Sequence, residues 1–325
     1  MTTMAKPRIL VTRHLPVEVE NRLARDFAAE LNASDRAMAT TEIAERAREF
    51  DGLLITSMDS CRKDLIDALP PSIRMIATFS VGVDHIDIPA AKAKGIAVSN
   101  TPDVLTDATA DIALLLMLGA ARGAIWGDRM VRDNRWALPS PTSPLGFDVS
   151  GRRLGIIGMG RIGQAVAKRA RAFDMTLHYH NRSRVSAGME HGATFHARLD
   201  DMLTHCDFLS INCASTPETR DLINARTIGL LPDGAIVVNT ARGEIVDDAA
   251  LIAALQSGKL AAAGLDVFKN EPNIDPRYRE LENVFMLPHL GSATKNTRIA
   301  MGMRAVDNLE AFFKGAKPRD LLTGA

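Results

Sequence analysis

Three polar residues in the second half of the chain, Arg242, Glu271 and His289, stand at or just beyond the ends of apolar runs. Arg242 follows Val237-Val238-Asn239-Thr240, Glu271 follows Leu265-Asp266-Val267-Phe268, and His289 follows Met286-Leu287-Pro288. Open α/β sheets place their ligands at the carboxyl ends of strands. A guanidinium, a carboxylate and an imidazole in such positions suit the reduction of a 2-keto acid. Arg grips a planar carboxylate through paired N–H donors and polarises the adjacent carbonyl. His, as imidazolium, delivers a proton to the carbonyl oxygen while hydride reaches C2. Glu orients the ring and favours its charged form. Taken singly, a solvated Arg, a helix-capping Glu and a His bound to local backbone would explain each residue. Their joint placement carries the reading.

The hydride donor is written into residues 154–163, L-G-I-I-G-M-G-R-I-G, an apolar strand running into Gly158, Gly160 and Gly163. The first glycine permits the tight strand-to-helix turn, and the second lets backbone approach a pyrophosphate. The third allows helix and strand to pack closely, while the helix start offers N–H groups and positive dipole to the phosphates. A helix over 164–173 and a strand over 175–180 complete the dinucleotide-binding unit. About 20 residues past the glycines, an NAD site normally carries an acid for the ribose 2′-OH. Here the chain reads His180-Asn181-Arg182-Ser183-Arg184. Two guanidiniums and a hydroxyl suit a 2′-phosphate, which a carboxylate would repel. NADP is therefore expected, NADPH preferred and NAD possible; a solvated basic loop is the alternative.

Strand-like and helix-like runs alternate throughout, which predicts α/β architecture with parallel sheets. The first series has strands over 8–11, 52–56, 75–79 and 96–99, with a helix over 17–31. A long helical segment, 103–123, and a loop with Pro139, Pro141 and Pro144 precede the fingerprint. Strands over 153–157, 176–180, 208–213, 235–240, 261–267 and 284–287 follow, and a helix over 294–313 closes the chain. A fingerprint in mid-chain implies insertion of one domain into another. The expected domains are 1–100 plus 290–325 for substrate, and 101–289 for dinucleotide.

At 325 residues, two domains fit. The chain is 46% hydrophobic and 24% charged, with 39 basic and 39 acidic residues. That balance gives no footprint for nucleic acid or an anionic membrane. Cys61, Cys206 and Cys213 have no metal-ligand spacing, so no metal is expected, and their odd number fits a reducing compartment. The apolar run 112–121 falls short of the ~20 residues of a membrane span. No signal peptide is visible at residues 1–7, and a soluble cytoplasmic protein is expected.

Several motifs in fixed order resemble the D-isomer-specific 2-hydroxyacid dehydrogenases: V-G-V-D-H-I-D (81–87), N-T-P-D-V-L-T (100–106), G-M-G-R-I-G, N-T-A-R-G-E-I-V-D (239–247), G-L-D-V-F (264–268), N-E-P (270–272) and P-H-L-G-S-A-T (288–294). The resemblance covers nearly the whole chain, and N-R-S-R is similar to the NADPH-preferring glyoxylate/hydroxypyruvate reductases. It implies two doubly wound parallel-sheet domains, Rossmann-like and flavodoxin-like, with the cofactor domain inserted. It implies that Arg242, Glu271 and His289 are the catalytic trio. It further implies that the Val81 and Gly82 amides receive the substrate carboxylate, and that Leu53 and Leu54 wall the substrate's side chain. For the cofactor it implies contacts from Thr106, Arg161, Ile162, Cys213, Thr240, Ala241 and Gly291, with Asp266 holding the nicotinamide carboxamide. Trp136 matches a residue reaching a partner subunit's active site, in a homodimer formed through the region 124–151. Core packing alone would also account for Leu53, Leu54 and Cys213, and packing within its own subunit for Trp136.

The expected activity is NADPH-dependent reduction of small 2-keto acids, glyoxylate and hydroxypyruvate, to 2-hydroxy acids with D specificity. Closure about segments near Asn100 and Leu290 is expected to exclude water. Reductases of the 2-ketogluconate or phenylpyruvate type stay open, as does a non-catalytic dinucleotide sensor similar to the C-terminal-binding corepressors.

Overall fold

The computed structural model describes residues 5–137 and 140–323; Pro139 lies outside them. The chain forms two compact units, one from residues 1–105 with 294–325 and one from 106–293. The second is thus continuous in sequence between the two segments of the first.

The first unit is built on five parallel strands: β1 (Arg8–Val11), β2 (Ala28–Glu30), β3 (Gly52–Thr56), β4 (Met75–Phe79) and β5 (Ala97–Ser99). Their order is β2-β1-β3-β4-β5, the flavodoxin-like doubly wound arrangement. β4 is buried along its whole length and β3 nearly so, as strands covered by helices on both faces must be. The helix expected over 17–31 is corrected. It spans Val17–Asp26, and Phe27 then turns extended, at φ −128° and ψ 165°. Residues 28–30 pair with β1 as an edge strand instead. Phe27 is buried, and the switch to extended backbone lets the chain satisfy its N–H and C=O groups on an open sheet edge.

The second unit carries seven parallel strands: β6 (Arg153–Ile157), β7 (Thr176–His180), β8 (Thr194–His196), β9 (Phe208–Ile211), β10 (Ala235–Asn239), β11 (Leu260–Leu265) and β12 (Val284–Met286). Their order is β12-β11-β10-β9-β6-β7-β8, with the chain reversing direction of progress between β6 and β9. Such a reversal opens the ligand crevice of a Rossmann fold. Two apolar cores, one on each face, cover this sheet.

The helical segment 103–123 resolves into a helix at Thr106–Ala121, nine of whose residues are buried, and a second at Ala124–Arg132. Gly123, at φ +61°, breaks the two apart, a left-handed conformation open to glycine at little cost. The second helix and β8 were absent from the sequence expectation. No single helix among the described residues is long and apolar enough to cross a membrane.

Candidate active site

The glycine fingerprint lies at the reversal between β6 and β9. Gly158 follows β6 with φ +93°, and a Cβ there would sit 2.6 Å from the Cys213 backbone nitrogen. A Cβ on Gly163 would approach the Gly158 carbonyl oxygen to 2.1 Å, so helix and loop touch only because Gly163 lacks a side chain. Gly160 differs: nothing lies within 4 Å of the position its Cβ would take. It caps the helix Arg161–Ala170 without any side-chain hydrogen bond. Open space therefore lies before a helix start that has no side-chain cap, where a pyrophosphate fits. The Thr240 hydroxyl, just beyond β10, is buried and has no hydrogen-bond partner among the described residues, which also suits a polar ligand.

β7 ends at His180, so no acid stands at the ribose position. Asn181 points back, its Oδ1 accepting from the Met159 N–H at 2.8 Å and bracing the glycine loop. Arg184 is engaged by Glu190, Nε to Oε1 at 2.7 Å and Nη2 to Oε2 at 3.1 Å. That leaves Arg182 and Ser183, both exposed, as the open groups of the basic segment.

The trio assembles on three adjacent strands. In register, Asn239 of β10 pairs with Leu265 of β11, and Leu265 with Met286 of β12. The loops that follow therefore leave the sheet side by side. His289 Nδ1 lies 2.7 Å from Glu271 Oε2, and Glu271 Oε1 accepts from the Phe268 N–H at 2.7 Å. Burial pushes the Glu271 carboxyl up, but His289, the Phe268 amide and Arg242 outweigh it and hold the group below its ordinary value. An ionised carboxylate only accepts, so Nδ1 must carry the hydrogen, leaving Nε2 as the nitrogen that can exchange a proton. His289 sits at φ +56°, unusual for a side chain of this size, and backbone held in that region clusters at functional sites. Its N–H donates to the Asp266 carbonyl at 2.9 Å, which fixes the turn.

Arg242 is placed by a residue that the sequence reading did not single out. Asn239 is buried, accepting from the Ala241 N–H at 3.0 Å and donating to the Arg242 carbonyl at 2.9 Å. The N-T-A-R segment signals this brace only once its turn is known. Gly243 lets the Arg242 loop lie against the loop leading to Glu271, since a Cβ there would meet the Phe268 carbonyl carbon at 1.9 Å.

Asp266 is buried, and its oxygens accept from the Leu290 and Gly291 amides at 2.6 and 2.7 Å. Burial raises its carboxyl above the ordinary value, against the pull of those amides. Thr109 ties the same segment down by donating to the Gly291 carbonyl at 3.2 Å. Burial pushes the Cys213 thiol up to about 11, so it stays protonated and unreactive at neutral pH. Thr106 begins its helix and is half-exposed; Ala241, Arg161 and Ile162 lie in the loop and helix start already described.

Within the first unit, Val81 and Gly82 form a turn beyond β4. Asn100 Nδ2 donates to the Val81 carbonyl at 2.8 Å and Ser80 Oγ to the Gly82 carbonyl at 2.7 Å. Neither brace was expected from the sequence. Leu53 and Leu54 are fully buried, Leu53 inside the core of this unit. Trp136 keeps 69% of its surface exposed, so its own subunit does not bury it.

Glu271→Gln keeps the shape but removes the negative charge behind the ring. A hydrogen bond to a charged group contributes about 1.5–3 kcal/mol, so kcat is expected to fall by about 10- to 100-fold. Steady-state rates at saturating substrate check this, and an unchanged kcat would dismiss the orienting role.

Residues 114–291 match the family model for the NAD-binding domain of D-isomer-specific 2-hydroxyacid dehydrogenases. The chain is 46% identical to a glycerate dehydrogenase of Hyphomicrobium methylovorum, over 96% of this chain and 98% of that one. It is 39% identical to a glyoxylate reductase of Thermococcus litoralis, over 98% and 97% of the two chains. Among solved structures it resembles an NADPH-dependent glyoxylate/hydroxypyruvate reductase of Sinorhizobium meliloti in complex with NADP and malonate. There the TM-score is 0.89 and the identity 36%, covering 98% of this chain and 97% of that one.

Proposed function

The chain belongs to the D-isomer-specific 2-hydroxyacid dehydrogenases, oxidoreductases of 2-hydroxy and 2-keto acids, and we propose that it is an NADPH-dependent reductase of small 2-keto acids. Glyoxylate and hydroxypyruvate come first, giving the D-2-hydroxy acid where a stereocentre forms. The observation that carries this is the 2.7 Å pair of His289 and Glu271 beside a braced Arg242.

Bound NADPH supplies the hydride. The helix start at Gly160 holds its pyrophosphate, Arg182 and Ser183 its 2′-phosphate, and Thr240 and Asp266 lie on the nicotinamide side. Arg242 binds the keto acid's carboxylate through its fork and draws electron density from the carbonyl. His289 gives the proton on Nε2 to the carbonyl oxygen, and the resulting neutral ring keeps its Nδ1–H on Glu271. Glu271 stabilises the protonated ring before transfer, since its carboxylate is held in the charged form.

The experiment is a panel of initial rates with 2-keto acids and both reduced coenzymes, read as loss of coenzyme absorbance. Turnover of glyoxylate with NADPH supports the reading; no oxidation with any small 2-keto acid would favour a dinucleotide sensor. Arg182→Asp tests the coenzyme assignment. Losing the charge-assisted bonds to a 2′-phosphate is expected to lower the NADPH/NADH ratio of kcat/KM by about 10- to 100-fold. An unchanged ratio would remove Arg182 from that role.

The homodimer belongs to the same reading. Val131, Trp136, Leu145 and Phe147 expose 60, 69, 70 and 48% of their surface within one stretch of the second unit. Apolar exposure of that extent marks an association surface, and sedimentation velocity tests it. A reducing, cytoplasmic setting completes the assignment, in keeping with three cysteines that are all free.

A further inference from the structure

The final helix, Lys295–Phe313, places an arginine where helix and sheet chemistry both disfavour one. Thr294 caps its start, accepting from the Thr297 N–H at 3.1 Å, and the Arg298 N–H makes the first main-chain bond to the Thr294 carbonyl at 2.9 Å. Arg298 thus sits at the positive end of the helix dipole, in a first turn with no acidic residue. Its side chain is half-buried with the guanidinium 5.8 Å from the Phe79 ring centroid. Among the described residues it has no carboxylate partner and its guanidinium makes no hydrogen bond. Two other arginines of this unit do have carboxylate partners, Arg304 with Asp320 at 2.5 Å, and Arg22 with Asp307 at 2.7 Å and Glu310 at 2.8 Å. Burial alone pushes the Arg298 guanidinium below its ordinary value.

Phe79 is the last residue of β4, and Ser80-Val81-Gly82 follow directly. Asn100 and Ser80 tie down the carbonyls of that turn, and the amides of Val81 and Gly82 donate to no other described residue. A partly desolvated cation with no counter-charge is costly, and a bound anion removes that cost. We propose that Arg298 is a substrate-binding residue, a cation of the first unit that attracts the 2-keto acid's carboxylate to the turn after β4. The inference rests on the keto-acid reading above. It assigns Arg298 to binding, with no part in proton or hydride transfer.

The test is Arg298→Met, which keeps the stem over Phe79 and removes the charge, alongside Arg298→Lys, which keeps the charge. For Arg298→Met the KM for glyoxylate is expected to rise about 10-fold or more with kcat and the KM for NADPH nearly unchanged, a loss typical of a charged contact. Arg298→Lys is expected to recover much of that KM. Calorimetric titration with oxalate, an unreactive dicarboxylate, is expected to show weaker binding to Arg298→Met by a similar factor. The melting temperature separates this from a structural role: removing an unpaired, half-buried charge raises it or leaves it unchanged. A lowered melting temperature, failure to fold, unchanged KM and oxalate affinity, or equal losses in kcat and NADPH binding would each overturn the proposal. If the wild-type protein binds oxalate through Arg298 but turns over no keto acid, the anion site stands and the reductase reading fails.

Discussion

His289→Ala is expected to lower kcat by about 10²-fold or more, the usual contribution of a positioned general acid. The imidazole retains 39% exposure of its side chain while Glu271, behind it, retains 24%, so the ring is the member of the pair that a substrate meets. Alanine removes the proton donor and takes one hydrogen bond from the Glu271 carboxylate, which keeps the one from the Phe268 amide. NADPH affinity should survive, because the glycine loop and Arg182 follow β6 and β7, whereas His289 follows β12 at the far edge of the sheet. Rapid-mixing rates with glyoxylate, together with NADPH fluorescence titration, read the two effects separately. A near-normal rate would take His289 out of proton transfer.

Arg242→Lys is the second large effect. Lysine keeps the charge but loses the planar fork, so one of two parallel bonds to the carboxylate and the polarisation of the carbonyl are both weakened. A loss of about 10²-fold in kcat/KM is expected, equivalent to ~2.7 kcal/mol of transition-state stabilisation. The loop keeps the two bonds by which Asn239 holds the main chain of Ala241 and Arg242, and loses the one that the guanidinium donates to the Ala241 carbonyl at 2.7 Å. Unaltered kinetics would dismiss the clamp. A drop in melting temperature matching the loss of rate would instead place Arg242 among structural residues.

These effects separate two kinds of information. The strand, turn and helix around Gly158, Gly160 and Gly163 are legible from the chain because their constraint is local. Each glycine is required by atoms of the same βα unit or of the neighbouring strand end, and spacing alone reveals it. The missing acid after β7 is legible for the same reason. The alternation of elements likewise gives two parallel sheets, because buried parallel strands are continuous apolar runs. It misses β2 and β8, short edge strands in which no residue is fully buried and which carry no such pattern. It also overruns the helix at Val17–Asp26, since the following edge strand has no distinguishing composition.

By itself the sequence determined which chemical groups are present and which strand each one follows. Only the tertiary structure decided their partners. The 2.7 Å approach of His289 to Glu271 depends on the register of β10, β11 and β12, set by main-chain bonding between strands far apart in the chain. The same holds for Arg184, spent on Glu190, and for Arg298, which has no counter-charge among the described residues. Side-chain pairing is short-ranged in space but not in sequence, so the identity of a charge can be read along the chain and its neutralisation cannot.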